Sequence, residues 1–149
     1  MTLVPTAEEV ISFLNNPTHK NGNLSYLNQR GGPSSATVAF SATPNLNIFF
    51  GTSDSSRKFR LLHNDKRVAF HVTDEVRRFT VQIEGVATEL SKAGMQPFED
   101  THYRKLGDSS KRFKLLPDQH FFAIWTTWLR FSDCIENPWT TTVLIGGES

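Results

Sequence analysis

The chain has a single cysteine, Cys134, among its 149 residues. One thiol makes no internal disulfide and suits a reducing compartment, so the expected location is the cytoplasm. Long apolar runs are missing as well, since no stretch approaches the ~18 residues of a membrane-spanning helix. The opening segment "MTLVPTAEEVISFLNN" lacks a basic region and places Glu8 and Glu9 where a secretion signal would be apolar. There is no excess of charge either. Sixteen Lys and Arg against fifteen Asp and Glu leave a formal charge of +1, which gives no long-range pull toward nucleic acid or an anionic membrane. Neither is expected as a partner, and any cationic site has to be local.

Familiar catalytic signatures are also absent. The five histidines, His19, His63, His71, His102 and His120, have no second ligand at metal spacing, and Cys134 has no C-x-x-C partner. No metal site is expected. There is no G-x-S-x-G elbow, no G-x-x-x-x-G-K loop and no G-x-G-x-x-G fingerprint. The carboxylate pairs Glu8-Glu9, Asp74-Glu75 and Glu99-Asp100 read as solvated helix starts or turns. No catalytic residue is assigned.

What is present is apolar bulk. At 38% apolar content, with twelve Phe and three Trp but only two Met, the chain can build one aromatic and aliphatic core. A single domain over 1–149 is expected. Thr6-Ala7-Glu8-Glu9 has the T-x-x-E form of a capping box before a short amphipathic helix that Asn15-Asn16-Pro17 ends. Strands are expected over Leu24 to Asn28, Ala36 to Ala42 and Leu46 to Gly51, the last two forming a hairpin. Arg67 to Thr73 and Phe79 to Glu84 alternate, and after Gly85 the apolar positions shift to Val86, Thr88 and Leu90, which marks a bulge or barrel corner. A helix is expected over Gly94 to Leu106. Two long strands, His120 to Ser132 and Trp139 to Ile145, follow, joined around Asn137-Pro138. Short turns between most strands favour a mainly β chain, an antiparallel barrel of six to seven strands with short helices.

One stretch carries chemistry. In "FFGTSDSSRKFRLLHND", Phe49 to Asp65, a strand runs into a hydroxyl-rich turn and then a helix that Asp54 or Ser55 can cap. Arg57 and Lys58 occupy its first turn, the positive pole of the helix dipole, where cations are disfavoured. Free backbone N–H groups, hydroxyls, an Arg fork and a Lys point charge within one turn are what holds a phosphate. The competing reading is a solvated basic first turn. Further on, Trp125 to Phe131 places Trp128 and Arg130 on one strand face against Leu129 and Phe131, suited either to core packing or to cover by a partner or planar ligand. The basic residues from Arg57 to Arg67 and from Arg104 to Lys114 would also suit a nucleic-acid surface on a small barrel, but acidic residues are interleaved with them.

The order of elements and the wording of that stretch resemble the FMN-binding split barrels of the pyridoxamine 5′-phosphate oxidase-like superfamily, in particular the short general-stress-protein type. The resemblance covers about Ser12 to Asp133. It is carried by T-x-x-x-S-R-K at Thr52 to Lys58, by "VQIEG" at Val81 to Gly85 and by "FFAIWTTWLRFSD" at Phe121 to Asp133. It implies a six-stranded Greek-key barrel that forms a homodimer with FMN in clefts between subunits, and a small-molecule substrate or electron donor. Arg57 and Lys58 would then hold the FMN phosphate. Gly51, Thr52 and Ser53 would run along the flavin and its ribityl chain, and Ala36, Thr37 and Val38 would offer backbone contacts beside the ring. Trp128 and Arg130 would reach across the dimer. The implied function is an FMN-dependent oxidoreductase, with a flavin-binding or flavin-sensing stress module, or a deazaflavin or haem in the same cleft, as alternatives. Ala36 stands where the oxidase has an Arg, Ser41 where it has a Lys and Thr80 where it has a Gln, so pyridoxamine phosphate oxidation itself is not the expected activity.

Overall fold

The computed structural model describes residues 4–135 and 139–147. It begins with helix α1, Ala7–Leu14. The capping box forms: the Thr6 side chain accepts from the Glu9 backbone, and the Glu9 carboxylate accepts from the Thr6 backbone. Val10, Phe13 and Leu14 turn into the core. Strands β1, Asn21–Leu27, β2, Pro33–Ala42, and β3, Ile48–Ser53, lead to helix α2, Arg57–Asn64. Strands β4, Arg67–Asp74, and β5, Phe79–Glu89, precede helix α3, Lys92–Leu106. A 3₁₀ helix over Asp108–Leu115, which no periodicity in the sequence announces, leads to β6, Gln119–Asp133, and β7, Thr140–Ile145. The expected joint at Asn137-Pro138 lies outside the described residues.

The seven strands form one antiparallel sheet in the order β3-β2-β1-β4-β5-β6-β7, and a further β3–β6 pairing closes the first six into a barrel. Closure removes the exposed edges an open sheet would present, leaving β7 as an appendage on β6. Inward side chains such as Phe40, Phe50, Phe70, Phe122, Ile83 and Leu129 fill the interior. Each is worth roughly 1.5–3 kcal/mol relative to exposure. A second, smaller core lies outside the barrel wall, where the Phe49 ring stacks between Phe98 at 5.2 Å and Phe121 at 5.3 Å and fastens α3 over β3 and β6.

Some expectations about the strands need correction. Strand β1 begins at Asn21, before the expected Leu24, because Gly22 and Asn23 pair with β2 despite their poor strand propensity. Gly22 is required there, since a Cβ at that position would run into the Phe70 ring. The register does shift at Gly85, but the extra residue is Thr127 on β6: Glu84 pairs with Trp128 and Gly85 with Thr126. Strand β5 therefore keeps its phase, with Gly85 and Ala87 inward and Val86 exposed. The apparent switch to Val86, Thr88 and Leu90 traces the outer side of the barrel wall, where Leu90 packs against the second core.

The pairing also opens the barrel between β2 and β3. Phe40, Ser41 and Ala42 of β2 pair with Phe50, Phe49 and Ile48 of β3. Beyond that the two strands part. Residues 33–39 of β2 pair with β1 alone, and Gly51, Thr52 and Ser53 of β3 pair with β6 alone. Each segment keeps one edge without a strand partner, and alternate residues there aim their N–H and C=O into the split.

Candidate functional site

Helix α2 starts at the foot of this split. Its N-cap is Ser56, not the expected Asp54 or Ser55; the Ser56 hydroxyl accepts from the Phe59 backbone at 3.3 Å. Asp54 and Ser55 instead shape the turn before it. The Asp54 backbone N–H donates to the Asp118 carbonyl at 2.8 Å, and the Ser53 hydroxyl lies 2.8 Å from that of Ser55 and donates to the Asp118 carboxylate at 2.9 Å. The Thr52 side chain is buried and lies 2.9 Å from the Ser56 hydroxyl, so it braces the turn from inside. These hydroxyls are committed to one another. Arg57 and Lys58, and the backbone N–H groups at the start of the helix that no helical carbonyl can reach, remain to meet an anion.

No acidic residue pairs with Arg57 or Lys58 among the described residues, and no acid sits in the first turn of α2. Lys58 is half-buried, and that burial holds its pKa below the usual lysine range. Arg57 is exposed and borders a small hollow with Arg30 and Arg60 next to the turn between β1 and β2. A dianion here would replace lost hydration at Lys58 and offset the unfavourable helix dipole. The donor set therefore fits a phosphate.

A histidine–carboxylate chain holds the turn against the barrel. His120 Nδ1 lies 2.9 Å from one Glu89 oxygen and its Nε2 3.3 Å from Asp54, while His63 Nε2 lies 2.8 Å from the other Glu89 oxygen. Hydrogen bonding to Glu89, then to Asp54, raises the His120 pKa. At Glu89 burial alone would raise the pKa, but the bonds from His120 and His63 bring it below the ordinary value. Sequence reading missed this chain, because its members come from the turn, α2, β5 and β6.

The other expected residues divide into two groups. Gly51, Ser53, Ala36, Thr37 and Val38 do line the split. Ala36 and Val38 turn their side chains to the core and Thr37 faces out, so the first two can offer a ligand only backbone. Trp128 and Arg130 are elsewhere. Thr52 pairs with His120, and Trp128 lies a further eight residues along β6, roughly 25 Å away at 3.3 Å per residue. Arg130 donates to Gln82 at 2.6 Å and sits over the Trp128 ring at 5.6 Å. Within one chain these two do not reach the α2 turn.

No family model and no curated protein matches the chain. Solved structures do. A haem binding protein from Mycobacterium smegmatis superposes with a TM-score of 0.75 at 17% identity, over 95% of this chain and 59% of that one. The chain thus spans little more than half of that protein's length. A pyridoxamine 5′-phosphate oxidase-related, FMN binding protein from Nostoc punctiforme gives 0.70 at 12% identity, covering 96% of this chain and 99% of that one. General Stress Protein 26 from Bacillus anthracis gives 0.66 at 16% identity, with 84% and 92% covered. The chain shares its fold with these proteins, as the resemblance in its sequence led one to expect.

Proposed function

We propose that this split barrel binds FMN and passes electrons through it between a donor and an acceptor. The observation that carries the reading is the pair of cations, Arg57 and Lys58, left without acidic partners at the start of α2 beside the open edges of β2 and β3. Arg57, Lys58 and the first N–H groups of α2 would hold the phosphate. The unpaired edges at Ala36 to Val38 and Gly51 to Ser53 would offer N–H and C=O groups to the ring and ribityl chain. When bound, the flavin supplies the hydride chemistry at N5, and the protein supplies position and electrostatics. A second copy of the chain completes the reading as a homodimer. It would bring Trp128 and Arg130 to the partner's split and cover exposed apolar side chains such as Val86 and Trp125.

Titrating purified protein with FMN tests this. Binding is expected to raise the melting temperature, because a ligand that prefers the folded state stabilises it, and an Arg57→Ala, Lys58→Ala double variant should lose at least ~10-fold in affinity. A melting temperature unmoved by FMN would sink the reading. The Mycobacterium smegmatis likeness favours a second candidate, haem in the same cleft, which the visible absorption spectrum of the purified protein separates from flavin. Anaerobic mixing with NADH or NADPH then separates turnover, seen as bleaching of the flavin, from binding without turnover.

A further inference from the structure

Outside the barrel, where the split opens under the C-terminal end of α3, lies a cavity of about 190 Å³. That is below the ~300 Å³ at which drug-sized pockets begin, so it suits a small ligand. Ala39 and Gly51 stand on its strand side, Leu106, Phe113 and Phe121 supply apolar surface, and no Lys, Arg, Asp or Glu is among its lining residues. A charged ligand would find no counter-charge in that lining.

Its most informative polar group is His102, only 5% exposed yet part of the lining. His102 Nδ1 lies 2.8 Å from the Ser41 hydroxyl, which is itself 2% exposed and has no other partner among the described residues. If Nδ1 carried the proton, the Ser41 O–H would be buried without an acceptor; if Ser41 donates to Nδ1, both groups are satisfied. The second arrangement puts the ring proton on Nε2, for which no partner is found among the described residues. Burial, helped by the nearby Lys105 charge, pushes the His102 pKa down to about 4 and keeps the ring neutral at pH 7. The cavity thus presents the fixed His102 N–H together with the polar side chains of Tyr103, Ser110 and Gln119, the Tyr103 hydroxyl being buried without a partner among the described residues as well, among walls that are otherwise apolar and aromatic.

We propose that this cavity binds a small, uncharged aromatic carbonyl compound, whose carbonyl oxygen accepts a hydrogen bond from His102 Nε2–H while its ring packs against Leu106, Phe113 and Phe121. What happens to such a ligand rests on the flavin reading, since Gly51 would then border both sites, but its binding does not.

The test uses 4-fluoroacetophenone, followed by fluorine NMR in the full-length protein with and without FMN. Saturable binding is expected, weakened at least ~5-fold by His102→Leu, which removes the donor, and at least ~5-fold for 4-fluorotoluene, which lacks the acceptor. Leu106→Trp, which fills the cavity from its rim, should abolish binding and remains informative if the His102 variant fails to fold. Equal binding of ketone and toluene, or unchanged binding in the Leu106 variant, overturns the proposal. Displacement of the ketone by FMN also overturns it, because the cavity would then be part of the flavin's own site, while leaving the flavin reading intact. Ketone binding in a protein that ignores FMN supports the cavity and ends the flavin reading.

Discussion

The side chain least suited to its surroundings is Lys105, 5% exposed, its ammonium 3.3 Å from the centroid of the Phe40 ring and without a hydrogen-bond partner among the described residues. Burial pushes its pKa down to about 7, even though the ring face attracts the charged form by about 1–2 kcal/mol. Burial is the larger effect, because the amine has lost water on every side and gained only one weak partner. Between about pH 7 and 10.5 the unfolded chain binds the proton more tightly than the folded one, so this residue makes the fold more stable as pH rises through that window. Lys105→Met, which keeps the unbranched chain, is expected to raise the melting temperature at pH 7 and to flatten the wild-type slope between pH 7 and 10. Thermal melts of both proteins across that range check it, and parallel curves would contradict it. His102 acts lower on the scale. Its pKa of about 4 lies beneath the ordinary 6.5, so the stability it contributes is complete above about pH 6.5 and lost as pH falls toward 4. In His102→Gln that part of the acid loss should disappear, measured as the difference between urea midpoints at pH 7 and pH 4.5.

At the scale of elements, two devices decide whether strand and helix meet correctly. The first is the bulge opposite Gly85. A Cβ there would press into the Trp125 carbonyl oxygen, a backbone atom that cannot swing aside, so Gly85→Ala must shift β6 against β5. The expected cost is about 2–4 kcal/mol, read from denaturant unfolding, because those two strands form the longest pairing in the barrel. The second is the Ser56 cap. Ser56→Ala leaves the Phe59 N–H unpaired and is expected to cost about 1 kcal/mol. It also releases the Thr52 hydroxyl that braces the turn, so FMN affinity should fall together with stability. Loss of stability with FMN binding unchanged would separate the cap from the phosphate site. These elements were partly legible in advance. The capping box at Thr6, the alternation in β4 and the glycine at the bulge are local patterns, and local patterns show in sequence. The strand carrying the extra residue did not show, because a bulge belongs to a pair of strands and only the register assigns it.

For the whole molecule, the feature that matters is the gap between β2 and β3 in the barrel wall. Open strand edges are a liability unless something covers them. In the proposed reading a cofactor and a second copy do so, and sedimentation velocity should find a dimer that binds one FMN per chain. A monomer that still binds FMN tightly would show that Trp128 and Arg130 are not needed.

Sequence alone determined the aromatic character of the core, the mainly β class, the approximate positions of most elements and the pairing of two cations with a helix start. Each of these follows from composition or from periods of two and 3.6 residues, which the chain carries wherever it folds. Tertiary structure decided the rest. It placed Trp128 and Arg130 far from Arg57 within one chain, joined Asp54, His63, Glu89 and His120 into one chain of hydrogen bonds, and set His102 against Ser41 across 61 residues of sequence. Those arrangements depend on which strands pair and in what register, a property of strand pairs that no single segment encodes.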